Sequence, residues 1–394
     1  MKENALVNNS AANQGSNDPI SFAIPEITEE DVEAVTRVLR SGWITTGTEC
    51  AMFEEELAHY LEIEHVVACS SATTAEEICL AYLDPEPGAR FAVPAWTFVS
   101  TALGVHRAGG VPVLVDVDPD TLNLCPAALE RAADEGLAGV VGVHFSGNPM
   151  SSDIRKICEA YDLPLVEDAA HALGARDDRG LIAGRGTAGA CYSFYATKNL
   201  PTGEGGAIAT DDAGLAEFAR TYRLHGMSSD AIDRYKRPGA HSYDVEVPGL
   251  KANLPDLLAT LGRSQLRRFE SSQAHRRALV LRYRENLDSQ KHVRFVPPVL
   301  PEGSADHLMV ISLDSQARRD AVVAGLAADN IGSSVHFRPL HTFAWFKENN
   351  IPLGPGGVPN TDRLDGSVMS LPLHVGLSLS DIDRVCGRVI EALG

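Results

Sequence analysis

The chain has 394 residues, 44% of them apolar, and carries 34 Lys and Arg against 53 Asp and Glu, a formal charge of −19. That length exceeds one small core and implies a large domain with a smaller one. The acidic balance argues against nucleic acid and anionic membrane surfaces as partners, and no apolar run approaches the ~20 residues of a membrane span.

Residues 1–20, MKENALVNNSAANQGSNDPI, lack an apolar run and read as a flexible polar tail. TEEDVEAVTRVLRSG predicts a helix: Thr28 and Asp31 form a capping pair, Val32, Val35 and Leu39 share one face, and Gly42 stops it. Apolar runs then alternate with helical stretches. HVVACS precedes TTAEEICLAYL, RFAVPA precedes TFVSTALGVHRAG, PVLVDV precedes PAALERAADEG, and GVVGVHF precedes SSDIRKICEAY. PLVEDAA, ACYSFYA and GAIATD make three more strands before the helix AGLAEFARTYRLHG. The alternation predicts an α/β domain over residues 21–245, its mostly parallel sheet covered by helices on both faces.

Residues 246–394 are expected to hold linker helices and a small α+β domain. A long helical region runs from YDVEVPG to LRYREN, broken at Pro248 and Pro255. Strands such as HLMVISL then alternate with helices such as RRDAVVAGLAADN, and PLGPGGVP is a surface loop. The seven cysteines show neither a CxxC pair nor metal-ligand spacing. They read as reduced thiols, which points to a cytoplasmic protein without a metal.

Ligands of parallel sheets gather at the carboxyl ends of strands, where Ser70–Thr74, Glu167–Asp168 and Ser193–Lys198 fall. Asp168 ends the apolar PLVED, so its charge needs a cationic or donor partner; capping of the next helix is the alternative. Lys198, behind the aromatic SFYAT and facing such a carboxylate, suits a Schiff base with pyridoxal phosphate, the aspartate keeping the pyridine nitrogen protonated. SSATTAEE offers hydroxyls and N–H groups at a helix start for the phosphate.

Longer motifs carry a resemblance. LRSGWITTG, CSSAT, VPAWTFVST, PVLVDVDPDTLNL, VHFSGNP, VEDAAHALGA, YSFYATKNLPTGEGGAIAT and HGMSSDAIDR occur in order, followed by PGLKANLPDLLATLGRSQL, VHFRPLH and SLPLH. From residue 20 onward the chain resembles the fold-type-I, pyridoxal-phosphate-dependent sugar aminotransferases of the DegT/StrS class. SSAT, EDAAHA, LKAN and HFR..H resemble most the branch typified by UDP-4-amino-4-deoxy-L-arabinose aminotransferase. The resemblance implies pyridoxal phosphate as cofactor, with pyridoxamine phosphate as its intermediate form. It implies amino transfer from L-glutamate, which leaves as 2-oxoglutarate, to a nucleotide-linked keto sugar, and a homodimer with shared active sites.

By position, the resemblance makes Lys198 the lysine that holds the cofactor and shuttles the proton, and Asp168 the partner of the ring nitrogen. Phe98 matches the aromatic stacked on the ring, Thr73, Thr74 and Ser193 the phosphate contacts, and His171 a neighbour of the cofactor. Lys251 and Asn253 match a segment that reaches the neighbouring subunit's site. His336, Arg338 and His341 match a basic patch at the substrate mouth, which Trp43 also lines. The bland alternatives are a core phenylalanine, a hydrogen-bonded core histidine, a solvated Lys251 and a buried tryptophan. Glu76 and Glu77 depart from the family, standing where apolar or neutral residues are usual. The rival readings are a 3-keto sugar or cyclitol ketone as acceptor, and a regulator that keeps the fold without turnover. A sugar dehydratase would carry histidine in place of Lys198.

Overall fold

The computed structural model describes residues 18–227 and 244–394. HGMSSDAIDR therefore lies outside the described residues beyond Met227. The chain opens with α1 (Glu29–Ser41), α2 (Thr48–Leu61), β1 (His65–Cys69), α3 (Ala72–Tyr82), β2 (Arg90–Pro94), α4 (Val99–Arg107) and β3 (Val111–Val115). It continues with α5 (Pro126–Asp134), β4 (Gly139–Val143), α6 (Ser152–Ala160), β5 (Leu165–Asp168), β6 (Ala190–Ser193), β7 (Gly206–Thr210) and α7 (Ala213–Tyr222). These strands form one sheet in the order β1-β7-β6-β5-β4-β2-β3. The run β3-β2-β4-β5-β6 is parallel, while β7 is antiparallel to both β6 and β1. Strands buried on both faces explain the unbroken apolar runs in the sequence: all five residues of β4 and of β7 are buried.

A second sheet, β8 (Val293–Val296), β9 (Met309–Leu313) and β10 (Val368–Leu371), is antiparallel in the order β10-β9-β8. Its core takes Leu279, Val280 and Tyr283 from helix Phe269–Leu287, Val322 and Leu326 from helix Gln316–Ala328, and Ile382, Val385 and Val389 from helix Leu379–Leu393. Of the expected flexible tail, residues 1–17 lie outside the described residues, and Ile20 is instead buried in this core, packed by residues distant from it in sequence. The two lobes meet through Trp96, Phe145, Val296 and Val310. No helix among the described residues is long and apolar enough to cross a membrane.

Two elements differ from the sequence expectation. Helix α1 has the anticipated Thr28–Asp31 capping box and left-handed Gly42 stop, but it buries Asp31, Ala34 and Val38. Asp31 is held there by Arg268 at 2.5 Å, and Val32 and Leu39 stay 48% and 55% exposed. Residues 244–255 are not helical. Their backbone is taken by the end of α7, with Leu250 N–H donating to Tyr222 O at 2.7 Å and Ala252 N–H to Arg223 O at 2.9 Å. Helix resumes only at Asp256, directly after Pro255.

Candidate active site

A cavity of about 390 Å³ opens at the carboxyl ends of the parallel strands, a size suited to a small aromatic ligand. Asp168, the last residue of β5, lines it and is nearly buried. Its Oδ1 accepts from Ala170 N–H at 3.0 Å and its Oδ2 from the Thr101 hydroxyl at 3.0 Å. An ionised carboxylate has about four acceptor sites, so these bonds orient Asp168 and leave capacity for a ligand.

The strand end beneath it is fixed by the adjacent Glu167. This fully buried carboxylate accepts from Arg155 at 2.8 and 3.0 Å, Gly184 N–H at 2.7 Å, Thr187 at 3.0 Å and His144 Nε2 at 3.2 Å. Met150 N–H donates to His144 Nδ1, which leaves the proton on Nε2, facing Glu167. Burial pushes the Glu167 carboxyl up, but His144, Arg155 and the Gly184 amide outweigh it and hold the group below its usual value.

Lys198 reaches the same cavity from the loop after β6. Its amine makes no hydrogen bond or ion pair among the described residues. Burial lowers its pKa to about 8, against the opposing charge of Asp168. A lysine so placed keeps a neutral, nucleophilic fraction near neutral pH.

At the other end of the cavity lies the start of α3. Its cap is the Ser71 hydroxyl, which accepts from Thr74 N–H at 3.1 Å, and Thr73 and Ser193 line the space beside it. First-turn N–H groups and hydroxyls make a ready anion site. Gly206 lets β7 pass this helix start: a Cβ there would lie 2.3 Å from the Ser71 carbonyl carbon and 2.5 Å from the Ala72 nitrogen. Phe98, 52% exposed, forms part of the wall. Amine, carboxylate, aromatic face and anion cradle are the groups that pyridoxal phosphate requires; Lys198 would serve its aldehyde, Asp168 its ring nitrogen, and Thr73 and Ser193 its phosphate.

His171 and His336 also line the cavity. Burial first, then the charge of Lys198, pushes the His171 imidazole well below its usual pKa and takes His336 down to about 4. Both are therefore neutral hydrogen-bonding groups near pH 7. His171 Nδ1 accepts from Ser146 N–H at 3.3 Å, and His336 Nδ1 meets the Ser370 hydroxyl at 2.9 Å.

The remaining expected residues lie elsewhere. Thr74 is not in the lining; its hydroxyl serves the α3 cap, accepting from Ser71 N–H at 3.2 Å and donating to Ser71 O at 2.9 Å. The expected basic patch does not assemble. The Arg338 guanidinium turns to Thr342 at 2.7 Å and lies over the Phe343 ring, while His341 pairs with Asp362 at 2.9 Å. Trp43 is 43% exposed, its indole N–H on Thr46 O at 3.2 Å. Lys251 bonds Asn253, which donates to the Thr46 hydroxyl at 2.5 Å. That segment runs beside the end of β1, where Ser70 N–H donates to Ala252 O at 2.8 Å.

Among the lining residues that the sequence analysis did not name as site residues are three rings. His307 sits 4.4 Å from His171 between ring centres, Phe337 stacks on His171 at 6.0 Å, and Phe22 stacks on His336 at 5.6 Å. The one available signal for Phe337 was its place inside HFRPLH.

A family model described as the DegT/DnrJ/EryC1/StrS aminotransferase family matches residues 25–390. Among solved structures, the putative sugar aminotransferase Spr1654 from Streptococcus pneumoniae in its PMP form superposes with a TM-score of 0.87 at 28% identity, covering 95% of this chain and 99% of that one. Its PLP form gives 0.86 at 27% identity, covering 96% and 100%. A DegT DnrJ EryC1 StrS aminotransferase from Brucella abortus gives 0.83 at 32% identity, covering 93% and 96%.

Proposed function

Because the chain belongs to the DegT/DnrJ/EryC1/StrS aminotransferase family, and is thus a pyridoxal-phosphate-dependent sugar aminotransferase, we propose that it moves an amino group from L-glutamate to carbon 4 of a nucleotide-linked keto sugar, as in the UDP-4-amino-4-deoxy-L-arabinose branch. The observation that carries the catalytic assignment is the meeting of an unpaired Lys198 amine and an oriented Asp168 carboxylate in one cavity. The keto position rests on the sequence motifs SSAT, EDAAHA, LKAN and HFR..H, and the donor on the family resemblance.

When bound, the cofactor's protonated pyridine ring takes up the electron pair left as a C–H bond next to nitrogen breaks. Asp168 would hold that ring nitrogen protonated. Lys198 Nζ would hold the cofactor through its aldehyde carbon and, as a free amine, would move a proton between the donor's α-carbon and the cofactor. Thr73, Ser193 and the start of α3 would anchor the phosphate, and Phe98 would lie against the ring. His171 and His336, being neutral, serve sugar hydroxyls by hydrogen bonding.

Among the described residues the lining includes no arginine, and the anionic ends of the substrates call for cationic groups. A second subunit supplies them in this reading, with Lys251 and Asn253 placed for reciprocal use. Ile24, Ile27, Val32, Leu39 and Ile44, all exposed in the single chain, are the apolar surface such a partner covers.

Borohydride reduction of the yellow protein followed by peptide mass mapping should place the cofactor on Lys198. Lys198→Ala should lose that adduct and at least about a thousandfold in amino transfer. Pyridoxamine-loaded enzyme screened against 4-keto and 3-keto nucleotide sugars decides the acceptor. Turnover confined to 3-keto or cyclitol substrates would overturn the carbon-4 assignment, and an adduct on another lysine would overturn the catalytic one.

A further inference from the structure

Glu76 lies in the second turn of α3, 1% exposed, and its side chain reaches the cavity. Among the described residues, none donates a hydrogen bond to either carboxyl oxygen. A buried, ionised carboxylate without donors is among the costliest arrangements a protein can hold. The groups that act on it most are the Asp168 carboxylate from β5, which lies against it, Ser100 from α4, and Cys79 on its own helix; none is a cation. Two carboxyls in contact cannot both ionise, so one of them keeps a proton.

The donors fall to Asp168. It has two donors, Thr101 and Ala170, whereas Glu76 has none. We propose that Glu76 is a positioning residue that stays protonated at neutral pH and donates its carboxylic O–H to Asp168. The pair then carries a single negative charge, and Asp168 gains a third fixed bond. Burial, followed by the charge of Asp168 and the contact with it, raises the Glu76 carboxyl well above its usual range, with the Ser100 hydroxyl opposing. This inference rests on the reading above that Asp168 faces the cofactor's ring nitrogen. It assigns a task to one of the residues by which the chain departs from the aminotransferases it resembles.

Two measurements test it. Infrared difference spectra of the apoprotein at pH 7, parent minus Glu76→Gln, should contain a protonated-carboxyl C=O stretch, because only the parent holds that acid. The cofactor's dissociation constant should change by no more than about twofold in Glu76→Gln, whose amide N–H still donates to Asp168. It should weaken by about tenfold in Glu76→Leu, which cannot donate to a charged acceptor. Glu76→Met serves as the second apolar variant if Glu76→Leu does not fold, as judged by circular dichroism.

No band in the difference spectrum would show Glu76 ionised and overturn the inference. Parent-like cofactor affinity in the apolar variants would show that its proton positions nothing. If the parent apoprotein takes up no pyridoxal phosphate, the catalytic reading falls instead, while the infrared band still decides where the proton sits.

Discussion

At the scale of single residues, the pKa of Lys198 makes a quantitative demand. An exposed lysine titrates near 10.4; burial brings this one to about 8. The neutral amine attacks the cofactor, so the rate of covalent loading should rise with pH and level off above about pH 8. Stopped-flow absorbance of apoprotein mixed with pyridoxal phosphate reads this directly. A rate still climbing at about pH 10 would mean that the amine sits in water. Lys198, Asp168, Thr73, Ser193 and Phe98 were legible from motif and strand end because local order alone brings them to the sheet's carboxyl edge. Thr74 was not separable from Thr73 on the page, since adjacent hydroxyls differ only in which way the helix turns them. Arg338 failed for a related reason: a guanidinium follows the nearest good acceptors, here on Thr342, four residues ahead.

At the scale of elements, the strands were readable because burial on both faces leaves a simple apolar run. Helix α2, absent from the sequence expectation, was not. It starts at Gly47 without a side-chain cap of its own. The acceptor for its first turn is Asp256, 209 residues away from Gly47, whose carboxylate takes the N–H groups of Gly47 at 2.7 Å, Glu49 at 3.3 Å and Cys50 at 3.0 Å. A cap supplied by tertiary contact leaves no local signature. The start of α3 carries a second prediction. Gly206→Ala forces a methyl against the Ser71–Ala72 peptide and should cost about 1–3 kcal/mol. Melting temperature measures that cost, and the cofactor's dissociation constant should weaken with it, because the displaced turn is the phosphate cradle. Unchanged melting and binding would place the helix start further from β7 than described.

For the whole molecule, the α/β class and the separate C-terminal sheet follow from the order of apolar runs, whereas the reversed direction of β7 does not. GAIATD reads alike in either orientation, and only its pairing with both β1 and β6 decides it. On the dimer reading proposed above, the exposed side of α1 likewise belongs to the assembly. Val32 and Leu39 repeat with helical spacing yet face away from the chain's own core, which is what a second copy of the chain would cover. Leu39→Glu combined with Ile44→Glu should shift sedimentation from dimer to monomer with little change in the monomer's fold by circular dichroism. A double variant that still sediments as a dimer would move the interface elsewhere.

Residues 20–23 connect the two lobes in a way that bears on how the enzyme admits its substrates. Ile20 exchanges backbone bonds with Asn330 and Gly332 at 3.0 and 2.7 Å and is buried among the C-terminal lobe's side chains. Two positions later, Phe22 lies against His336 and both Phe22 and Ala23 form wall of a chamber whose lysine and aspartate belong to the other lobe. Residues 20–23 thus fasten part of the chamber's wall to the lobe that does not carry its lysine and aspartate, so neither lobe alone encloses the chamber.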